Sequence, residues 1–253
     1  MKFVHPDFAK SIEIAARFGF ISQDIFTNYV TTRKRTVTYS VWSSLKKSDY
    51  FEQYDHSTIS ENYLKLSRFG KWRVDDHCSF IPVAPPSPRQ LTHDEALVKF
   101  ALHNERRGFI ESARPEAHTK TQNSQFAKIF AAQNLKFPDL LFDLGAPEKR
   151  FRVALELERT RKSNSKYQAN LLCYSVQKHV DIVIFVTSHG TIEKAIKDAA
   201  LRINYPSQRK PIAFAKTNEF LASPSEFVLQ IDNRIFKFDD FVQRLSQKPQ
   251  VAA

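Results

Sequence analysis

Residues 137–158 read FPDLLFDLGAPEKRFRVALELE. The runs FPDLLFDL and RFRVALELE are strand-like. Side chains alternate along a strand, so in the second run Val153, Leu155 and Leu157 point one way and Ala154, Glu156 and Glu158 the other. Both glutamates therefore leave one face, close together. If the two strands pair, Asp139 at the head of the first joins them at one edge of the sheet. Three carboxylates meeting in one place repel each other unless a cation sits among them. Hard oxygen donors of this kind suit Mg²⁺ or Mn²⁺. Lys162, just past the second strand, brings an ammonium to the same place, where it can orient a water or stabilise a phosphate under attack. Asp143, on the same strand face as Asp139, is a weaker ligand candidate.

Outward from this stretch the chain alternates helix and strand. LTHDEALVKFALHNER reads as an amphipathic helix and NSQFAKIFAAQN as a short second one. KYQANLLCYSVQK is helical, VDIVIFVTS is a buried strand, TIEKAIKDAALR is helical and PIAFAKT is a strand. That order predicts an α/β fold with one mixed sheet and helices on both faces. Glu95 falls on a solvated face of the first helix, and His93 at its start.

Before this region lies PVAPPSPRQ, residues 82–90, whose prolines suit neither a helix interior nor a central strand. It divides the chain into a domain over 1–83, a Pro-rich linker over 84–90 and the α/β domain over 91–253. In the first domain FAKSIEIAARFGF is a helix, and Ser22 caps a second, SQDIFTNYV. A basic, aromatic helix begins near Thr36. NYLKLS and WRVDDHCSFI alternate as strands, with Arg68-Phe69-Gly70-Lys71 as the turn between them. Helix, helix, basic helix and a two-stranded wing form a winged helix-turn-helix pattern, in which the third helix enters the major groove. Arg33, Lys34, Arg35, Thr38, Tyr39 and Ser43 lie near or along its DNA-facing side. Lys46 and Lys47, with Arg68 and Lys71 of the wing, are placed to meet phosphates.

The formal charge is +11, which suits a polyanionic partner. With only five glycines, the chain has no Gly-rich loop to cradle a nucleotide phosphate. Cys78 and Cys173 form no metal-binding pair and too sparse a set for a disulfide scaffold, which fits a reducing cytoplasm. No long apolar run predicts membrane insertion.

Pro138-Asp139 followed by Glu156-Leu157-Glu158 resembles the PD-(D/E)xK nuclease superfamily, the restriction-endonuclease fold. The position where that motif carries lysine is Glu158 here, so the resemblance leaves the ammonium to Lys162 or Lys166. The wider order of a winged helix, a linker, a helix beginning HDEALV and then PD, ELE, K and KY resembles MobC-type plasmid mobilisation relaxases and the related replication-relaxation family. That resemblance implies motif residues Asp139, Glu156, Glu158 and Lys162, with Tyr167 close behind. It implies metal-dependent nicking of one strand at a plasmid transfer origin, with an accessory protein of the relaxosome and a type IV coupling protein as partners. Tyr167 is a candidate for covalent attachment to DNA, while Tyr174 is expected to pack against the sheet. Two alternatives remain: a non-catalytic DNA-binding mobilisation or replication protein that keeps a nuclease-like fold, and a restriction-like enzyme that cuts both strands.

Overall fold

The computed structural model describes residues 5–54, 62–120, 136–145, 150–207 and 210–246. The expected helix NSQFAKIFAAQN lies outside them. The chain divides into two compact units, Met1–Lys99 with Ala117–Ser124 and Phe100–Glu116 with Gln125–Ala253.

In the first unit, helix α1 (Pro6–Phe18) starts with proline at its first position, where no N–H is needed. It ends at Gly19, in the left-handed region with φ 85°. A side chain at Gly19 would meet Ala84 O at 2.8 Å, and the Val83 N–H donates to Ala16 O at 3.0 Å. The Pro-rich stretch is thus irregular in backbone but packed against the end of α1. Strand β1 (Ile21–Ser22) leads into helix α2 (Gln23–Ile25), where Ser22 Oγ accepts from Ile25 N at 3.1 Å. A π-helical turn, Phe26–Val30, continues it. Helix α3 (Arg35–Lys46) buries Thr38, Trp42 and Leu45 and stacks Trp42 near Phe26. Strands β2 (Phe51–Gln53) and β3 (Tyr63–Leu66) follow. The sheet order is β1-β3-β2, with β3 antiparallel to both neighbours.

The second strand of the hairpin differs from expectation. NYLKLS is β3, but its partner is Phe51–Gln53. WRVDDHCSFI is not a strand, and Arg68–Lys71 is not a turn. Arg68–Trp72 forms a short helix, α4, followed by a 3-10 turn at Val74–Asp76. Two local features favour the helix. Ser67 Oγ caps it by accepting from Gly70 N at 3.0 Å, and Gly70 carries no side chain to hold it off the Tyr50 carbonyl.

Helix α5 (Leu91–Arg106) contributes residues to both units. The second unit holds a seven-stranded sheet. Strand β4 (Ile110–Pro115) runs into the short helix α6 (Glu116–Thr119), most of which belongs to the first unit, and β5 (Leu140–Leu144) and β6 (Phe151–Glu158) follow. Helix α7 (Asn164–Val176), β7 (Ile182–Thr187), helix α8 (Gly190–Arg202) and β8 (Ile212–Lys216) come next. Helix α9 (Thr217–Ala222), the hairpin β9 (Val228–Ile231) and β10 (Arg234–Lys237), and helix α10 (Phe238–Ser246) complete it. The order is β10-β9-β8-β7-β6-β5-β4. β6, β7 and β8 run parallel; every other neighbouring pair is antiparallel. This is a mixed α/β unit with most pairings antiparallel.

Both faces of the sheet are covered, so its central strands carry near-continuous apolar runs, as in IVIFVT of β7. One face packs Leu141, Ala154, Val183, Phe185 and Phe214 against Tyr167, Leu171 and Tyr174 of α7 and Ile192, Ala195, Ile196 and Ala199 of α8. Elsewhere Phe100 of α5 meets Phe142, Phe220, Phe227 and Phe238 at ring distances of 5.2 to 6.1 Å. Among the described residues, no helix is long and apolar enough to cross a membrane.

Candidate active site

The β5–β6 register sets the site. Leu140 pairs with Leu155 and Leu141 with Ala154. Asp139 lies one residue before β5, just beyond the last paired residues, and its charge is felt at Glu156. Ala154 packs under α7, so Glu156 and Glu158 lie on the same helix-covered face. Asp139 Oδ2 accepts the Leu157 N–H at 2.9 Å, between the two glutamates along the backbone. Asp139, Glu156 and Glu158 are thus brought to one end of β6.

Both glutamates are buried, at 1% and 2% exposure. Buried charge persists only where it is paired or neutralised. Lys162 Nζ meets Glu158 Oε1 at 2.6 Å, one helical-turn spacing beyond it in sequence. Glu156 Oε1 accepts from Lys136 Nζ and from the Tyr174 hydroxyl. Its Oε2 is buried with no hydrogen-bond partner among the described residues. Burial, opposed by the Lys136 ammonium and reinforced by the neighbouring Asp139, pushes the Glu156 carboxyl up to about 7. Burial alone would lower the Lys162 pKa, but the bond to Glu158, with the fields of Glu156 and Asp139, outweighs it and the net shift is upward. Burial and the adjacent Glu156 carboxylate hold the Tyr174 hydroxyl well above its usual value.

Lys136 and the Tyr174 hydroxyl also reach Glu156, and neither contact is signalled by the sequence. Lys136 lies three residues before Asp139, in KFPD, and nothing in periodicity marks it. It is held in place by Gln177, whose Nε2 donates to Lys136 O at 2.7 Å. Lys210 in turn donates to the carbonyls of Tyr174, at 2.7 Å, and Gln177, anchoring the end of α7. Tyr174 is packed against the sheet as expected, but its hydroxyl also reaches the site.

Other candidates sit elsewhere. Asp143 is not beside Asp139: it is paired with Arg152, Nε to Oδ1 at 2.8 Å, four residues away along β5. That is about 13 Å at the strand rise. Tyr167 is fully buried, and its hydroxyl accepts the Lys162 N–H at 3.1 Å, so its oxygen is turned into the protein rather than toward a substrate. Lys166 is exposed in the first turn of α7. Glu95 is not on a solvated face: Ser22 Oγ donates to it at 2.6 Å and the Tyr63 hydroxyl at 2.5 Å, and Lys99 lies at 3.3 Å. It belongs to the packing of the first unit.

The nucleic-acid candidates also divide. Along α3, Tyr39 and Ser43 are exposed, with Thr36, Val37, Ser40, Ser44 and Lys47 on the same outward side. Thr38 is buried, its Oγ1 bonded to the carbonyls of Arg33 and Lys34, and so is removed from the DNA-facing set. Arg33 Nε pairs with Asp7 at 3.2 Å; Lys34 is exposed and Lys46 half-buried. The side chain of Arg35 lies outside the described residues. Arg68 and Lys71 are exposed on α4 rather than on a wing.

Among the described residues, no three His, Cys, Asp or Glu side chains are arranged to hold a metal ion. The donor chemistry nevertheless suits a hard divalent cation, and the unpartnered Glu156 Oε2 is an oxygen such a cation would satisfy. As the side chains stand, two ammonium groups neutralise the glutamates. Comparison of the chain with protein-family models, curated proteins and solved structures gives no match.

Proposed function

We propose that this protein nicks one strand of DNA in a metal-dependent reaction, as a plasmid mobilisation relaxase of the carboxylate type. The observation that carries the reading is the convergence of Asp139, Glu156 and Glu158 at one end of β6, with Asp139 bonded to the Leu157 N–H and the Lys162 ammonium on Glu158. Carboxylates crowded together repel one another unless a cation sits among them, which favours a bound cation over a structural role. Asp139, Glu156 and Glu158 would hold Mg²⁺ or Mn²⁺, which lowers the pKa of a bound water and offsets charge on the phosphate. Lys162 orients that water or neutralises the charge that develops on phosphate oxygen. In this reading water is the nucleophile: its oxygen attacks phosphorus, one P–O ester bond breaks, and the departing oxygen takes a proton. Tyr167 has no part in attack, because its hydroxyl is buried and already engaged.

Two features support the domain assignments behind this reading. The antiparallel run β4–β5–β6, followed by a helix and the parallel strands β7 and β8, supports a restriction-endonuclease-like unit. The order α1, β1, α2, α3, β2, β3 with sheet order β1-β3-β2 supports a winged helix, with the exposed side of α3 toward DNA.

One observation favours a second reading, a non-cutting DNA-binding accessory protein: Lys136 and Lys162 already neutralise the two glutamates. Supercoiled plasmid carrying the cognate transfer region, incubated with the protein with and without Mg²⁺ or Mn²⁺, separates the readings. Open circles that need the metal and are lost in Asp139→Ala, with DNA binding retained, support the nickase. Linear product points to a double-strand cutter, and unchanged supercoils to the accessory protein.

A further inference from the structure

Helix α4 presents an unusual outward face. Gly70 is buried against the first unit, and a Cβ there would lie 2.1 Å from the Tyr50 carbonyl oxygen. The Tyr50 carbonyl also accepts the Ser67 N–H at 3.0 Å. Contact at Gly70 and the Ser67 cap fix the rotation of the helix. At about 100° per residue, Lys71, Arg68, Trp72 and Phe69 then follow one another around the arc opposite Gly70. All four are exposed; Trp72 stands 73% open and Phe69 42%. The two rings lie 6.2 Å apart, and Phe69 is braced edge-on by Tyr50 at 5.1 Å. Arg73 lies 5.6 Å from the Trp72 ring and pairs with Asp76 at 2.6 Å. Among the described residues, Arg68 and Lys71 have no ion-pair partner.

Two neighbouring exposed rings rimmed by charged side chains form the kind of apolar patch that marks an interaction surface. A row of two cations beside a row of two rings matches a single nucleic-acid strand: phosphates meet the cations while bases stack on the rings. Duplex DNA offers the phosphates but keeps its base faces closed. We propose that the α4 face binds unpaired DNA, with Trp72 and Phe69 stacking bases and Arg68 and Lys71 contacting the backbone. The proposal goes beyond strand cleavage and does not depend on it.

The two tryptophans make the test direct, since Trp42 is 3% exposed and Trp72 is open. An oligodeoxythymidine is titrated into the full-length protein without divalent metal, following tryptophan emission and, separately, the anisotropy of a labelled oligonucleotide. Quenching is expected, with none in Trp72→Phe beyond the small signal of Trp42. Trp72→Ala should weaken single-strand binding roughly tenfold, as for one lost base stack, and duplex binding by less than about twofold. Arg68→Ala with Lys71→Ala should reduce the single-strand salt slope by about 1.4, at ~0.7 per phosphate. Absence of quenching, or unchanged single-strand affinity in folded Trp72→Ala, overturns the proposal. Equal losses for duplex and single strand overturn it too, by making the face a duplex contact. Trp72→Phe, which keeps a ring, should restore most of the binding and guards against a folding defect in the alanine variant.

Discussion

The two ends of the β5–β6 pair hold their acids in opposite surroundings. At one end Asp143 faces Arg152, which grips it through Nε and a second nitrogen. At the other, Asp139, one residue before β5, lies close enough to Glu156 to raise its pKa. The first is a complete cross-strand ion pair. The second leaves a buried carboxylate oxygen without a partner and draws in ammonium groups from Lys136 and Lys162. A strand pair of this length can satisfy its acids, as Asp143 shows. Crowding at the other end is therefore not an accident of the sheet, and it is where a cation has something to gain.

The largest expected effect breaks or upholds this contrast. Asp139→Asn, which keeps an oxygen for the Leu157 N–H, should cut metal-dependent nicking by at least about 100-fold, the upper end of what losing a mere outer-shell partner costs. Its unfolding free energy should stay within about 1 kcal/mol of wild type, because relief of like-charge repulsion offsets a weaker hydrogen bond. Asp143→Asn should do the reverse: nicking within about twofold, but a loss of about 2 kcal/mol. Breaking a buried pair costs about 3–5 kcal/mol, and Arg152 keeps 29% of its side-chain surface in water, which reduces the loss. Plasmid nicking and denaturant unfolding on both variants would expose the contrast as false if the two columns of results were exchanged.

Much of this end of the sheet was legible. Alternation along RFRVALELE put both glutamates on one face, and Pro138-Asp139 marked the neighbouring strand. Lys136 was not legible, since a lysine in an irregular segment carries no periodic signal and its reach to Glu156 depends on Gln177 of the distant end of α7. In the first unit, α1, α2 and α3 followed from helical spacing and the Ser22 cap. WRVDDHCSFI was misread because alternation over a few residues also occurs where a short helix meets a 3-10 turn. Gly70 was read as a turn residue, whereas it is needed because a Cβ there would collide with Tyr50 O. VLQIDNRIFKF, with Asp232 in the left-handed region at φ 51°, is a hairpin whose Asp-Asn turn was in plain view.

A mid-sized effect concerns pH. The Glu156 carboxyl is pushed up to about 7 in the fold, against ~4.3 in an unfolded chain. The folded state keeps this proton longer, so its contribution to stability is full below the unfolded value. It falls as pH rises through the window and levels off above about 7. The ceiling on that loss is about 4 kcal/mol. Denaturant unfolding of metal-free wild type minus that of Glu156→Gln should show this decline between pH 4.5 and 7.5. Lys136→Met removes the cation that lowers the Glu156 value, so the decline should continue to higher pH. A difference curve that rises across this range would remove the buried-acid account of the site.

The smallest effect distinguishes the two lysines that follow the strand. Lys162 is bonded to Glu158 and half-screened by the site, whereas Lys166 is exposed in the first turn of α7. An exposed side chain away from packing contributes little to stability, within about 0.5 kcal/mol. Lys166→Ala should therefore leave unfolding and metal response unchanged. If Lys166 meets a phosphate near the cleavage point, its loss lowers the salt slope of duplex binding by about 0.9 and weakens binding a few-fold for every sequence alike. Lys162→Met should instead depress nicking while leaving that slope in place, because its charge is committed to Glu158 rather than offered to the duplex. Binding isotherms at several salt concentrations, read beside nicking rates, would reverse the two assignments if Lys162→Met changed the slope and Lys166→Ala changed the rate.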